Sequence, residues 1–188
     1  MIPAPVAFVT SNPGKAREAE RLLGRPVTAW PLDLPEIQSL DFEEVVRAKA
    51  VEAARRLGDA VLVEDSGVAV AAWGGFPGPL TRWMTDGPIG SAGLARMLDP
   101  FGDRRAEAVS ALGLARPGGG PAEVLVAVGR VPGTIAEAPR GTNGFGWDVV
   151  FVPEGATRTY AEMSDDEKSL DSHRTRSFRA MARLLERR

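Results

Sequence analysis

The feature that most constrains the fold is a short apolar strand that runs directly into a capped helix. Val6-Ala7-Phe8-Val9-Thr10 has the unbroken apolar character of a buried strand, and Ser11-Asn12-Pro13 follows at once. Asn12 suits an N-cap and Pro13 the first helical position. Ala16, Ala19, Leu22 and Leu23 then share a face, and Gly24 stops the helix. A strand feeding a helix in this way needs a sheet for the helix to cover.

The same alternation continues along the chain. Asp41 and Glu44 read as a capping box opening a helix with Phe42, Val46, Ala50, Ala53 and Leu57 on one stripe, ending at Gly58. Ala60 to Val63 reads as a buried strand terminating in Glu64-Asp65-Ser66-Gly67, with Val68 to Trp73 as its continuation or partner. Residues 74–79 form a loop and 90–98 a weaker helix. A hairpin joins 105–115 to 124–128, Val149 to Val152 adds a strand, and 172–185 closes the chain as a helix. One antiparallel hairpin among βα units predicts a mixed-sheet α/β fold in a single domain over residues 1–188.

Composition narrows the chemistry. The 188 residues contain no Cys and a single His, His173, which removes disulfides, thiolate nucleophiles and His-rich metal sites. Net charge is −2, which argues against nucleic-acid binding, and no apolar run approaches a membrane span. The start of the chain lacks the pattern of a signal peptide, so the expected location is cytoplasmic. Of 23 basic residues only three are lysines, Lys15, Lys49 and Lys168.

Four segments can carry chemistry. Thr10 to Lys15, with Ser11 and Asn12 between them, places a helix N-terminus and an ammonium where an anion such as phosphate would bind; it also fits an ordinary capped helix. Glu64 and Asp65 are adjacent on a strand, so their side chains point to opposite faces. One can ligate Mg²⁺ while the other orients or deprotonates water, with Glu36 as a possible third carboxylate. An acidic turn is the plainer alternative. In Gly144-Phe145-Gly146-Trp147-Asp148 the glycines can present Phe145 as a stacking platform for a base, or the two aromatics can dip into the core. Ser172 can cap the last helix, placing His173 and Arg174 at its positive end near Lys168. That position is unexpected for cations unless they face an anion or keto oxygen, or simply turn outward.

In order and spacing these segments resemble the inosine/xanthosine triphosphate pyrophosphatase family. The match runs through Thr10-x-Asn12-x-x-Lys15, Glu64-Asp65-Ser66, Gly74-Gly75-Phe76-Pro77-Gly78, Phe145-Gly146-Trp147-Asp148, Thr159 to Met163, and Glu167-Lys168 with Ser172-His173-Arg174. The resemblance implies a long mixed twisted sheet flanked by helices, two lobes with a central nucleotide cleft, and a homodimer. It implies Mg²⁺-dependent cleavage of non-standard purine nucleoside triphosphates at the α–β phosphoanhydride. Asp65 would accept the proton and ligate Mg²⁺ with Glu36, and Thr10 to Lys15, Lys49, Ser66 and Arg82 would face the triphosphate. Phe145 would stack on the base, with Gly146, Trp147, Asp148, Lys168, His173 and Arg174 around it. All three lysines fall on nucleotide positions. The chain departs from the usual pattern at Ser11, Glu64, Arg82, Val149 and Ser169. A binding module without turnover, or a pyrophosphatase of different base preference, are the competing readings.

Overall fold

The computed structural model describes residues 7–187. Val6, the first residue of the predicted opening strand, lies outside the described residues. Strand β1 (Ala7–Val9) passes through Asn12 into helix α1 (Pro13–Leu23), whose Gly24 takes the left-handed conformation at φ 62° and closes the helix as predicted. A two-residue strand β2 (Ala29–Trp30) follows, both residues exposed. Helix α2 (Phe42–Leu57) is capped by Asp41, which accepts from the Glu43 and Glu44 N–H groups. The predicted capping box is not closed: Glu44 instead accepts from the Ser39 hydroxyl at 2.7 Å.

Strand β3 (Val61–Val70) runs unbroken through Glu64-Asp65-Ser66-Gly67, so the stretch from Val68 is its continuation, one of the two predicted readings, and it stops at Val70, before Ala71–Trp73. The glycine read as a stop, Gly67, lies inside the strand. A Cβ there would collide with the Gly78 carbonyl and the Thr81 side chain, so glycine is required by a loop crossing over the strand. Helices α3 (Thr81–Thr85) and α4 (Gly90–Met97) come next. Strands β4 (Arg105–Ala115) and β5 (Leu125–Ile135) form the predicted hairpin, with β5 running well past Val128. A 3-10 turn at Gly146–Val149 leads to β6 (Phe151–Pro153), so this strand begins two residues later than predicted. Helix α5 (Asp165–Asp171) precedes α6 (His173–Glu186), which Ser172 caps as predicted.

The six strands form one open mixed sheet in the order β2-β1-β3-β4-β5-β6. The β2-β1-β3 pairs are parallel and the rest antiparallel. Alternation along β3 splits the core. Val61 and Val63 pack with Val46, Ala50 and Ala53 of α2, while Leu62 packs on the other face with Ala19 of α1 and Phe178 and Met181 of α6. At the far end of that second face, Val68, Val70, Leu94, Trp147, Phe151 and Tyr160 form a third cluster. Each buried Val, Leu, Phe or Met side chain among these contributes about 1.5–3 kcal/mol. Beyond its last residue β1 leaves β3 uncovered, and a crevice opens there. No helix among the described residues is long and apolar enough to cross a membrane.

Candidate active site

The crevice is a cleft of about 1340 Å³. Its walls include Thr10, Ser11, Asn12 and Lys15 from the β1–α1 turn, Glu36 and Lys49, and Glu64 to Ser66 of β3. Arg82 and Trp83 of α3 and Phe145 to Trp147 complete it. The first predicted segment therefore lies in the cleft, with most of its backbone donors already engaged. Asn12 Oδ1 accepts from the Gly14 and Lys15 N–H groups at 2.8 and 3.2 Å, and Thr10 Oγ1 accepts from the Asn12 N–H at 3.1 Å. Pro13 has none to give, so the cap consumes the first amides of α1 and leaves the Ser11 N–H as the turn amide without a partner among the described residues. Beside it this end offers an anion the Lys15 ammonium, which reaches the Glu64 carbonyl at 3.3 Å. Burial lowers the Lys15 pKa against the pull of the Glu64 and Asp65 charges.

Glu64 and Asp65 divide as strand alternation requires. Asp65 turns toward α2, where its Oδ1 accepts from Lys49 Nζ at 2.5 Å, and Lys49 also reaches Glu36 Oε1 at 2.7 Å. Asp65 Oδ2 is buried and has no hydrogen-bond partner among the described residues. Burial would lower the Lys49 pKa, but the Asp65 and Glu36 carboxylates outweigh it and hold the pKa up, so the ammonium is charged. Burial likewise opposes the ionisation of Glu36, and its hydrogen bond from Lys49 wins, keeping the carboxyl below its ordinary range. Ser66 lines the cleft beside Asp65, and Arg82 stands exposed at the rim with its guanidinium 5.6 Å over the Trp83 ring.

Glu64 faces the other way and is corrected from a water-handling group to an anchor. Its enclosed carboxylate accepts from Arg174 Nε at 2.9 and 3.0 Å and from the Ser110 hydroxyl at 2.8 Å, which leaves no room for a water or metal. Arg174 also donates to Glu18. Glu18 further accepts from Lys168 Nζ at 2.8 Å, and Lys168 pairs with Asp148 at 2.7 Å. Burial works against an ionised Glu18, yet Arg174 and Lys168 hold its pKa down at about 2.

Asp148, Lys168, His173 and Arg174 are thus brought together, but as a buried layer rather than as cleft wall. Phe145 lines the cleft with Lys168 Nζ 5.3 Å and Arg174 Cζ 5.5 Å over its ring. Its ring packs so closely on α1 that a Cβ at Gly14 would collide with it. Asp148 accepts from the Phe145 N–H at 2.9 Å, fixing the ring's backbone. Trp147 is buried, its ring centroid 5.1 Å from that of His173. Tyr160 stacks on His173 at 5.8 Å. Burial first, then the charges of Arg174, Lys168 and Lys15, push the His173 pKa far down. The imidazole is therefore neutral and does not oppose the helix dipole, while the charged Arg174 is balanced by Glu64 and Glu18. Neither of the imidazole nitrogens has a partner among the described residues.

Glu18 was not singled out in the sequence; the only signal is its position one turn after Lys15, beside the buried Ala19. The residues present fit a hard divalent cation. Two carboxylates from different segments converge, one with an orphaned buried oxygen, and among the described residues no third acidic or His side chain joins them. Mg²⁺ commonly takes one or two carboxylates and completes its shell from substrate phosphate and water.

Comparison with known proteins agrees with this architecture. Residues 6–184 match the family described as the Ham1 family. A dITP/XTP pyrophosphatase of Methanopyrus kandleri is 42% identical over 180 residues, 94% of either chain. An inosine triphosphate pyrophosphatase of Yarrowia lipolytica is 44% identical over 182 residues, 95% of this chain and 93% of that one. The solved structure of a HAM1 protein from Coxiella burnetii superposes with a TM-score of 0.80 at 28% identity, covering 97% of this chain and all of the other.

Proposed function

Because the chain belongs to the Ham1 family, we propose that it hydrolyses non-standard purine nucleoside triphosphates (ITP, dITP and XTP) to the monophosphate and pyrophosphate. The observation that carries this reading is the split at β3. Asp65 presents a free buried oxygen to a cationic cleft, while Glu64, on the opposite face, anchors the arginine of a buried donor layer.

Asp65 and Glu36 would hold a Mg²⁺, which supplies charge neutralisation for the triphosphate. Lys15, Lys49 and Arg82 bring three side-chain cations to the phosphates from three different elements, and Ser66 and the Asn12 side chain add polar contacts. Asp65 Oδ2, buried and without a partner among the described residues, would be the oxygen that accepts a proton from water. Positioning and charge carry most of such a reaction, so no covalent nucleophile is needed.

The base would stack on Phe145 and meet Lys168, Arg174 and the neutral His173 at its edge. These cations are donors, and a 6-keto purine offers them an acceptor. Adenine offers an amino donor instead, and a buried donor facing a donor is the costly mismatch. Because the layer lies behind Phe145, whose backbone Asp148 holds, the ring would have to swing about its side-chain torsions to admit the base. The assembly we propose is a homodimer, which light scattering after gel filtration reads directly.

The test is turnover of ITP, XTP, GTP and ATP under Mg²⁺. The expected result is a strong preference in kcat/KM for ITP and XTP over ATP; equal turnover of ITP and ATP sinks the reading.

A further inference from the structure

The two carboxylates assigned to the divalent cation are already occupied by a cation of the protein's own. Lys49 Nζ lies 2.5 Å from Asp65 Oδ1 and 2.7 Å from Glu36 Oε1. The second Glu36 oxygen accepts from the Trp83 indole N–H at 3.1 Å, so both oxygens of that carboxylate are engaged. Only Asp65 Oδ2 is unclaimed. The Lys49 side chain is 11% exposed and the Asp65 side chain 7%, so the contact is sheltered from water.

An ammonium in this place obstructs a metal in two ways. Its hydrogen bonds use oxygen lone pairs that a metal ion at about 2.0–2.1 Å would need. It also places a positive charge beside the dication, in surroundings that screen poorly. Two carboxylates shared with a lysine form a weak site for a free cation. A triphosphate alters both terms, because its oxygens offer Lys49 another anion and offer the metal its remaining ligands.

We infer that Lys49 is a tethered stand-in cation: in the nucleotide-free protein it holds Glu36 and Asp65 together, and the divalent cation enters with the triphosphate, which draws the ammonium off the pair. The inference rests on the proposed function for the identity of the two metal carboxylates and adds the order of events. Lys49 then has two successive duties, keeping the carboxylates in place and afterwards contacting phosphate. It is a positioning residue in the first of these.

The test uses Mn²⁺ alone as the probe, with free Mn²⁺ read by electron paramagnetic resonance in nucleotide-free protein. Lys49→Met and Lys49→Gln are each expected to bind Mn²⁺ at least about tenfold more tightly than the wild type. Adding Glu36→Gln to Lys49→Met is expected to abolish that gain. A second arm needs no variant and serves if the substitutions prevent folding. In the wild type, the complex with the non-hydrolysable α,β-methylene analogue of ITP is expected to bind Mn²⁺ at least about tenfold more tightly than the nucleotide-free protein, and more tightly than the same analogue free in solution. Equal Mn²⁺ affinity in wild type and folded Lys49 variants overturns the inference, as does a nucleotide-free wild type that binds Mn²⁺ as tightly as the analogue complex. Neither arm reads turnover, so failure to hydrolyse ITP would sink the functional reading without being mistaken for failure here.

Discussion

Replacing Arg174 by Met separates what the buried donor layer does for the fold from what it does for the base. Arg174 is 1% exposed, and its guanidinium is shared between Glu64 and Glu18. Methionine fills much of the same volume but leaves the fully enclosed Glu64 carboxylate with only the Ser110 hydroxyl. Removing one partner of a buried ion pair costs about 3–5 kcal/mol, because the remaining charge stays desolvated. For a chain of this size that is a fall in thermal midpoint of roughly 6–20 °C, at about 2–4 °C per kcal/mol. Glu64→Gln in the Arg174→Met background removes the stranded charge. The double variant is therefore expected to recover about 1–3 kcal/mol relative to the sum of the two single losses. Urea denaturation of the four proteins completes the cycle, and kcat/KM for ITP and ATP is measured on the same samples. Stability is expected to return in the double variant while the ITP-over-ATP preference does not, since the donor proposed to meet the base is gone in both. An Arg174→Met loss below about 1 kcal/mol, or no coupling to Glu64, would refute the argument that a desolvated ion pair anchors this layer.

Other outcomes follow from the same contacts. Glu18 has its carboxyl held at about 2 instead of 4.5, so its contribution to stability is present above the unfolded value and lost as pH falls from about 4.5 toward 2. The stability gap between wild type and Glu18→Gln, about 3 kcal/mol near neutrality, should close across that window in urea titrations at several pH values. Gly129→Ala would drive a Cβ into the His173 carbonyl and the Ser177 N–H, pushing α6 off β5. It should lower stability by at least about 1–3 kcal/mol in thermal unfolding and raise KM for ITP. Lys168→Arg should impair selectivity for ITP, because a planar fork cannot replace a point charge held between Asp148 and Glu18, whereas Arg179→Lys on the exposed side of α6 should change neither rate nor stability in paired assays.

Much of this arrangement is legible in the chain. The Asn12-Pro13 start and Gly24 stop fixed α1 to the residue, because cap chemistry is local. The opposition of Glu64 and Asp65 follows from strand geometry alone. Their unequal roles do not, since nothing near Glu64 in sequence announces that Arg174, 110 residues away, will enclose it. Gly67 misled for the same kind of reason: glycine marks a break locally, yet here it answers to Gly78 and Thr81 passing overhead. The two-residue β2 is too short to signal a strand. Helix α5 has a local signal, since Ser164 and Glu167 form a closed capping box. The extent of β5 is hidden by Gly129, Pro132 and Gly133, residues that weaken a strand pattern. Pro132 pairs with Glu107 on one side, and on the other β6 begins pairing only at Gly133.

The most direct test of the central claim is the product and rate of ITP hydrolysis, followed by phosphorus NMR for the wild type and Asp65→Asn. The wild type should release pyrophosphate in step with IMP, and Asp65→Asn should lose about 10²–10⁴ in kcat while remaining folded. Orthophosphate as the first product, or a folded Asp65→Asn protein that keeps the wild-type rate, would contradict it.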